Sequence, residues 1–329
     1  MSTANPAAGA LASTRGSVDR LGDRLLTSVT VLASLTAAAL IALILYKLID
    51  GASGAIGDFG IAFLWHTTWN PTTAVGVVNA NMFGAGVLLY GTVVTSAIAL
   101  LLAVPLGVGI GIFLSLMAPG RVGAIIGPLV ELLAAVPSVI LGLWGIIVLG
   151  PFLRSTIEPA LHDVLGWIPI FGAPSTTGLG VFTAGVVLAI MVLPIMAAVS
   201  RDLFLTVPRE LRDGALALGS TRWEMIRGVV LDSSRAGLAA ATILGLSRAL
   251  GEAIAVTQVI GAGNAIHANL FDTGDTFASR IADQFLDASG RWTSALFYCA
   301  VVLLVLELLV NIAAQLIVRR YERRMGIAR

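Results

Sequence analysis

Two ionisable side chains of opposite charge lie in an otherwise apolar stretch of the sequence. Arg248 and Glu252 fall within the hydrophobic run 237–261, and their spacing of four residues would place both on one face of a helix. A planar guanidinium can bind two oxygens of an oxyanion at once. A carboxylate beside it would neutralise the guanidinium when no anion is bound, and it could accept a proton from the anion. The pair therefore indicates either an anion site or a structural ion pair that determines how the helix packs.

Three further polar residues lie in apolar stretches. Glu131 precedes Pro137 by six residues, and a proline inside a helix removes a hydrogen bond and bends the helix. Ser138 and the freed backbone groups could then line a water-filled path. Glu131 could instead pair with Arg248 or with a group on another subunit. Thr92 is a candidate hydroxyl donor, although a threonine in a helix more commonly bonds its own backbone.

The sequence lacks the residues that several kinds of catalysis require. The only lysine, Lys47, follows no Gly-x-x-x-x-Gly pattern, so the chain has no phosphate-cradling loop and cannot be its own ATPase. Residues 245–249 stop one position short of a nucleophile elbow, and no histidine lies in an apolar stretch, which argues against an intramembrane hydrolase. The histidines and the single Cys299 have no metal-ligand spacing. We predict a chain that is not an enzyme and holds no metal or cofactor of its own.

The elements that carry these residues are long and apolar. The chain is 57% hydrophobic and 12% charged, whereas about 25% charged residues is typical of soluble proteins. Only helices satisfy their own backbone hydrogen bonds one segment at a time in lipid. We therefore predict an all-α polytopic membrane protein with six transmembrane helices, at residues 25–48, 87–117, 122–149, 179–200, 237–261 and 292–318. Glycines such as Gly107, Gly109 and Gly111 suit close contact between helices.

The positive charges predict the orientation in the membrane. Most arginines fall before the first span, between the fourth and fifth spans, and after the last span. The positive-inside rule therefore places both termini and the loop between spans four and five in the cytoplasm. Residues 1–24 are predicted to form a cytoplasmic tail, and residues 25–329 the six-span domain.

The cytoplasmic loop between spans four and five has the signals of two consecutive helices. Pro208 suits the first turn of a helix, Gly219 suits its end, and Thr221 with Glu224 reads as a capping box for the next helix. The first helix, over 208–219, has one face of apolar residues, namely Leu211, Ala215 and Leu218. It could present a rigid surface to a cytoplasmic partner. A helical surface linker is an alternative, and a DNA-binding helix-turn-helix is disfavoured because membrane spans hold both ends.

This loop resembles the coupling motif of permeases of ATP-binding-cassette (ABC) importers, written Glu-Ala-Ala, three residues, Gly, nine residues, Ile-x-Leu-Pro. The matching positions are 213–215, Gly219 and 229–232, with Asp232 where the motif has proline. The segments 131–145 and 247–256 are similar to the permeases of the phosphate-specific importer. The first outer loop, with Trp69-Asn70-Pro71, resembles that of its C-type subunit.

The resemblance, which runs from about the first span to the C-terminus, implies a type I ABC-importer permease in the bacterial plasma membrane. Such a permease would move inorganic phosphate into the cytoplasm, driven by ATP that a separate ATPase dimer binds with Mg²⁺. The other implied partners are a homologous second permease and an extracytoplasmic phosphate-binding protein, with no nucleic acid. The implied substrate path contains Arg248, Glu252, Glu131, Ser138 and Thr92. The implied coupling residues are Glu210, Asp213, Ala215, Leu218 and Gly219.

Two alternatives stay open. One is a permease of the same kind for another oxyanion, such as sulfate or molybdate. The other is a self-sufficient secondary carrier or channel. A carrier should have inverted repeats and broken helices paired across its halves, and we predict neither from this sequence.

Overall fold

The protein is a helical bundle in the computed structural model, which describes residues 18–71 and 82–324. These residues contain no β-strand, only an isolated antiparallel bridge between Trp69 and Phe83. In chain order the helices are α1 Val18–Phe59, α2 Gly86–Met117, α3 Gly120–Ala134, α4 Ser138–Leu165, α5 Val181–Thr206, α6 Arg209–Ala217, α7 Arg222–Gly251, α8 Ile254–Val259, α9 Phe277–Gln284 and α10 Arg291–Arg324. One π-helical turn occurs in each of α2 and α7, and two occur in α4.

Six of these helices are long and apolar enough to cross a bilayer: α1, α2, α4, α5, α7 and α10. The predicted all-α fold with six spans is therefore confirmed. α1 begins at Val18 and ends at Phe59, so it extends beyond the predicted span 25–48 at both ends. Residues 1–17 of the predicted tail lie outside the described residues.

The chain divides into two compact units, residues 1–51 and 52–329. In the first unit α1 exposes a series of large apolar side chains, among them Leu26, Leu32 and Ile41, as expected of a helix in lipid. The second unit contains the other helices and the residues considered below.

The centre of the second unit is the contact between α2 and α5. A Cβ added to Gly107 would lie 2.5 Å from the Cβ of Met196, and one added to Gly111 would lie 2.7 Å from the Cβ of Ser200. The contacting residue of α5 changes from Met196 to Ser200 as the glycine of α2 changes from Gly107 to Gly111. The two helices therefore run in the same direction. Gly109 has no atom within 4 Å of its added Cβ. The predicted close contact is therefore confirmed at Gly107 and Gly111 but not at Gly109.

The third span differs from its prediction over 122–149. α3 ends at Ala134, the backbone of Pro137 is extended, and α4 begins at Ser138 and continues to Leu165. The break follows from the proline, which disfavours helical backbone in the residue before it. The transmembrane helix is therefore α4, and α3 is a separate helix that packs against α5.

The fifth span also differs from its prediction over 237–261. α7 begins at Arg222 and ends at Gly251, and the short helix α8 follows after the extended residue Glu252. Asp232 lies inside α7 and forms an ion pair with Arg235 at 2.6 Å. Because a proline at this position would interrupt the helix, aspartate keeps α7 continuous. Within the described residues, two of the predicted spans are thus interrupted, at 135–137 and 252–253, where the sequence predicted continuous helices.

Aromatic side chains of the first predicted outer loop form a buried cluster. Phe63 stacks on Tyr298 of α10 with ring centroids 4.5 Å apart, and Trp69 contacts Phe83 edge-on at 5.0 Å. Trp65 is exposed. The loop therefore packs on the N-terminal part of α10, and most of its aromatic residues are core residues.

Candidate functional site

Arg248 and Glu252 lie on either side of the point where α7 ends. Arg248 is in the last turn of α7 and is exposed, whereas Glu252 is partly buried and has an extended backbone (φ −74°, ψ 118°). The predicted shared helical face is therefore wrong. The Glu252 carboxylate accepts a long hydrogen bond, 3.4 Å, from the N–H of Ala255 in the first turn of α8. Among the described residues, no ion pair joins Arg248 to Glu252.

The end of α7 lies close to the level of the centre of the apolar helix α5. A Cβ added to Gly245 would lie 2.8 Å from Val192, at the centre of α5. One turn further along α7 comes Arg248. A charged side chain at this depth costs about 2.5–3.5 kcal/mol on insertion scales and usually faces protein or water instead of lipid. The guanidinium is thus at a depth where it needs a polar partner.

The start of α4 lies at the same level as the start of α8. A Cβ added to Gly142 would lie 3.0 Å from the Cα of Ala255, and one added to Gly145 would lie 2.7 Å from Val259. The two helices therefore run side by side from their first turns. Ser138, the first residue of α4, is consequently level with Glu252. The fold brings Ser138, Glu252 and Arg248 to two adjacent helix breaks.

Glu131 lies away from this group. Its carboxylate forms an ion pair at 3.1 Å with Arg201, in the C-terminal half of α5. The two side chains are 56% and 29% exposed, so the pair contributes no more than about 1 kcal/mol. The predicted alternative partner Arg248 is not the one observed, because the break at 135–137 places Glu131 on α3.

Thr92 is buried in α2, and its hydroxyl accepts a hydrogen bond of 3.1 Å from the N–H of Phe277 at the start of α9. This contact holds α9 against α2. A role for Thr92 or Glu131 in the substrate path stays a prediction.

A buried ion pair on the predicted outer side was missed by the sequence analysis. The side chains of Arg280 and Asp275 are 3% and 4% exposed, and Arg280 Nε lies 2.5 Å from Asp275 Oδ2. Arg280 also donates to Asn264 Oδ1 at 2.6 Å and lies 5.3 Å from the ring centre of Trp69. Burial raises the pKa of the Asp275 carboxyl, and the Arg280 charge offsets part of that rise.

One sequence signal could have identified this pair. Thr276 and Ser279 form a capping box that begins α9, and Ser279 also donates to the Asp275 carboxylate. The Thr-x-x-Ser spacing places Arg280 in the first turns of a helix instead of in a loop. Its burial could not be read from the spacing, because the contacts come from distant segments.

A helix, α6 Arg209–Ala217, occupies most of the predicted range 208–219, and its role in coupling stays a prediction. The turn after the helix contains Gly219, whose φ of +89° favours glycine, and Thr221 with Glu224 forms the predicted capping box at the start of α7. Pro208 precedes the helix instead of occupying its first turn. Three leucines are exposed, Leu211 and Leu216 in the helix and Leu218 directly after it, and Leu218 is 90% exposed. Glu210, Asp213 and Gly219 are exposed and Ala215 is partly buried.

The described residues contain no group of three or more His, Cys, Asp or Glu side chains that could hold a metal ion. The chemistry available at the helix breaks is therefore that of a guanidinium, a carboxylate, a hydroxyl and free backbone groups. This set suits binding of an anion.

Comparison with known proteins identifies one family over most of the chain. The family model described as "binding-protein-dependent transport system inner membrane component" matches residues 107–325. The phosphate transport system permease protein PstC of Pasteurella multocida is 41% identical over 294 residues, which cover 87% of this chain and 88% of the relative. PstC of Mesorhizobium japonicum is 40% identical over 328 residues, 96% of this chain and 98% of the relative.

Solved structures share the fold at low sequence identity. A bacterial alginate ABC transporter in complex with an alginate pentasaccharide-bound periplasmic protein matches with a TM-score of 0.61 and 16% identity, over 93% of this chain and 98% of that chain. The inward-facing MetNI methionine ABC transporter matches with a TM-score of 0.52 and 19% identity, over 74% of this chain and 97% of that chain. The helices are thus arranged as in ABC importer permeases.

Proposed function

Because the chain belongs to the family of inner membrane components of binding-protein-dependent transport systems, we propose that it is a permease subunit that carries phosphate across the bacterial inner membrane. Similarity to phosphate transport permeases along nearly the whole chain supports phosphate as the substrate. The structural observation that carries the proposal is the break between α7 and α8. There the Arg248 guanidinium lies at mid-membrane depth without a counter-ion among the described residues.

In this proposal Arg248 binds phosphate as it passes the break. A guanidinium presents paired N–H donors to two oxygens of one anion. Interrupted transmembrane helices leave backbone groups free to contact a substrate, and the start of α4 adds the partial positive charge of a helix N-terminus and the Ser138 hydroxyl. The Glu252 carboxylate accepts a hydrogen bond from the protonated oxygen of phosphate. Its negative charge also repels the anion and so keeps phosphate from binding too tightly to leave.

ATP hydrolysis on a separate subunit drives the transport. The chain has a single lysine and no phosphate-cradling loop, so ATP and Mg²⁺ bind to a partner ATPase dimer. The exposed apolar side chains of α6, chiefly Leu211 and Leu218, form the surface that this ATPase contacts. A homologous second permease completes the pathway, and an extracytoplasmic phosphate-binding protein delivers the substrate to the outer side.

A permease for another oxyanion, such as sulfate or molybdate, is the main alternative, since one guanidinium binds any of these anions. A secondary carrier is the alternative that the two broken helices favour, because carriers place substrate sites at such breaks. A carrier has no use for an exposed apolar helix on its cytoplasmic side.

The decisive experiment is uptake of labelled phosphate by proteoliposomes that contain this chain, its partner permease, its ATPase and its binding protein. We expect uptake that requires ATP and is inhibited by unlabelled phosphate but not by sulfate or molybdate. Stronger inhibition by another oxyanion would contradict phosphate as the substrate but not the assignment of the chain as an ABC importer permease. Uptake by this chain alone without ATP would show a carrier.

A further inference from the structure

Glu307 is a charged residue in the middle of an apolar span that has no role in the function proposed above. The apolar part of α10 runs over Arg291–Arg319, and Glu307 lies close to its midpoint between leucine and valine residues. Acidic residues at this depth almost always face protein or water and commonly mark the path of a substrate or ion. The surroundings of its carboxylate therefore decide what it does.

The carboxylate of Glu307 faces the end of α7. α10 runs antiparallel to α7, and the Ser247 hydroxyl donates to Asn311 Oδ1 at 3.0 Å. One turn before Asn311 in α10, Glu307 Oε1 lies 3.2 Å from the position that a Cβ on Gly251 would occupy. Gly251 is the last residue of α7. The carboxylate thus lies against the same helix break that Arg248 and Glu252 flank.

Glu307 has no structural partner that would account for it. It is partly buried, and within the described part of the chain it makes no hydrogen bond or ion pair. The hydrogen bond that joins α7 to α10 comes from its neighbour Asn311 instead. Because Gly251 has no side chain, nothing separates the Glu307 carboxylate from the break. An unpaired carboxylate held at this place is unexplained by packing alone.

We infer that Glu307 is a further residue of the substrate passage, where its carboxylate accepts a hydrogen bond from the protonated oxygen of phosphate. This inference rests on the proposed function. Phosphate near neutral pH carries both bare oxygens and at least one O–H group. The bare oxygens need donors, which Arg248 supplies, and the O–H needs an acceptor, which carboxylates supply. Glu307 from α10 and Glu252 from the break then hold the anion from two sides.

The test compares Glu307→Ala with Asn311→Ala in the reconstituted complex. Both variants remove a polar side chain from the same face of α10, one turn apart, but only Asn311 holds α7. We expect Glu307→Ala to lower phosphate uptake at least about tenfold while ATP hydrolysis stimulated by the loaded binding protein stays within about twofold of wild type. Asn311→Ala should leave the ratio of phosphate transported to ATP hydrolysed unchanged, whatever it does to the yield of complex.

A second measurement keeps the inference testable if Glu307→Ala fails to assemble. Because Cys299 is the only cysteine and is buried, Glu307→Cys in a Cys299→Ser background introduces a single reactive position. We expect an anionic, membrane-impermeant thiol reagent to modify position 307 and excess phosphate to slow the modification. The exposed neighbour Leu308→Cys is the matched control and should not respond to phosphate.

The outcomes separate the two proposals. If the wild-type complex transports no phosphate, the proposed function is wrong. If the wild type transports phosphate, but Glu307→Ala does so with the same ratio to ATP and position 307 is not protected by phosphate, the inference about Glu307 alone is wrong.

Discussion

At the scale of single residues, the position of Arg248 makes its guanidinium available to an anion. Its guanidinium lies in the last turn of α7 and is exposed, so its donors are available for a ligand. Glu252, four residues later, is turned toward the backbone of α8. The separation of these two charges leaves the arginine to pair with whatever enters the break.

Replacement of Arg248 should therefore separate the effect of its paired N–H donors on phosphate uptake from the effect of its positive charge. We expect Arg248→Gln to abolish phosphate uptake, and Arg248→Lys to retain a fraction of it, because an ammonium keeps the charge but loses the paired donors. ATP hydrolysis by the assembled complex should persist in both variants. The check is uptake and ATP hydrolysis measured on the same proteoliposomes, and full uptake by Arg248→Gln would contradict the assignment.

The Arg280–Asp275 pair should matter for stability because it is buried. Removal of one partner from a buried ion pair costs about 3–5 kcal/mol, since the other charge is left unpaired. We expect Arg280→Ala to lower the thermal stability of the purified complex strongly. Arg291 forms an ion pair with Asp58 whose side chains are 56% and 30% exposed, so Arg291→Ala is the matched control with a change below about 1 kcal/mol. Equal losses in both variants would contradict the role of burial.

At the scale of elements, the contact between α2 and α5 depends on two glycines. A Cβ at Gly107 or Gly111 would come within 2.5 or 2.7 Å of α5, and neither helix can yield without moving its backbone. We expect Gly107→Ala and Gly111→Ala each to cost about 1–3 kcal/mol of stability. Gly109→Ala should be neutral or stabilising by up to about 1 kcal/mol, because alanine is the better helix residue and the space is open. Thermal unfolding of the three variants checks the order.

The helix α6 should contact the ATPase through its exposed apolar residues. We expect Leu218→Asp to reduce co-purification of the ATPase and its stimulation by the loaded binding protein, since a charge would replace an apolar contact. Leu286 is 92% exposed on the predicted outer side, compared with 90% for Leu218. Leu286→Asp is thus a control of equal exposure. Loss of the ATPase in both variants would indicate a general defect.

At the scale of the whole molecule, the sequence was sufficient for the class of fold. Apolar runs predict the six spans because the bilayer imposes a length and a helical backbone on each of them. The capping box at Thr221 and the turn at Gly219 were also predictable, because both depend on neighbouring residues only. Such local rules carry over directly from sequence to structure.

The breaks and the buried charges were less accessible to sequence analysis. Pro137 predicts a bend, but whether the chain resumes as the same helix depends on contacts of α3 with α5. No proline marks the end of α7 at Gly251. The hydrogen bond from the Ala255 N–H to the Glu252 carboxylate forms only once the helix has ended. Arg280 looked like a loop charge because its partners Asn264 and Trp69 are distant in sequence.

The orientation of the molecule is a separate prediction. Six spans place both termini on the same side of the membrane, and the arginine distribution indicates the cytoplasm. We expect a fluorescent protein fused to the C-terminus to be fluorescent in cells, and alkaline phosphatase fused there to be inactive. An active phosphatase fusion would reverse the orientation.

The unbroken course of α7 through Asp232 has a mechanical consequence. The helix extends over 30 residues, or about 45 Å, from the capping box beside α6 to the turn that contains Arg248. A helix of this length converts a small rotation into a large displacement, because a tilt of about 5° around one end moves the other end by about 4 Å. With a proline at position 232 the helix would have a joint near its base, and part of the motion would be lost there. Under the proposed function, a small rotation at the surface that contacts the ATPase would therefore reach Arg248 without loss at such a joint.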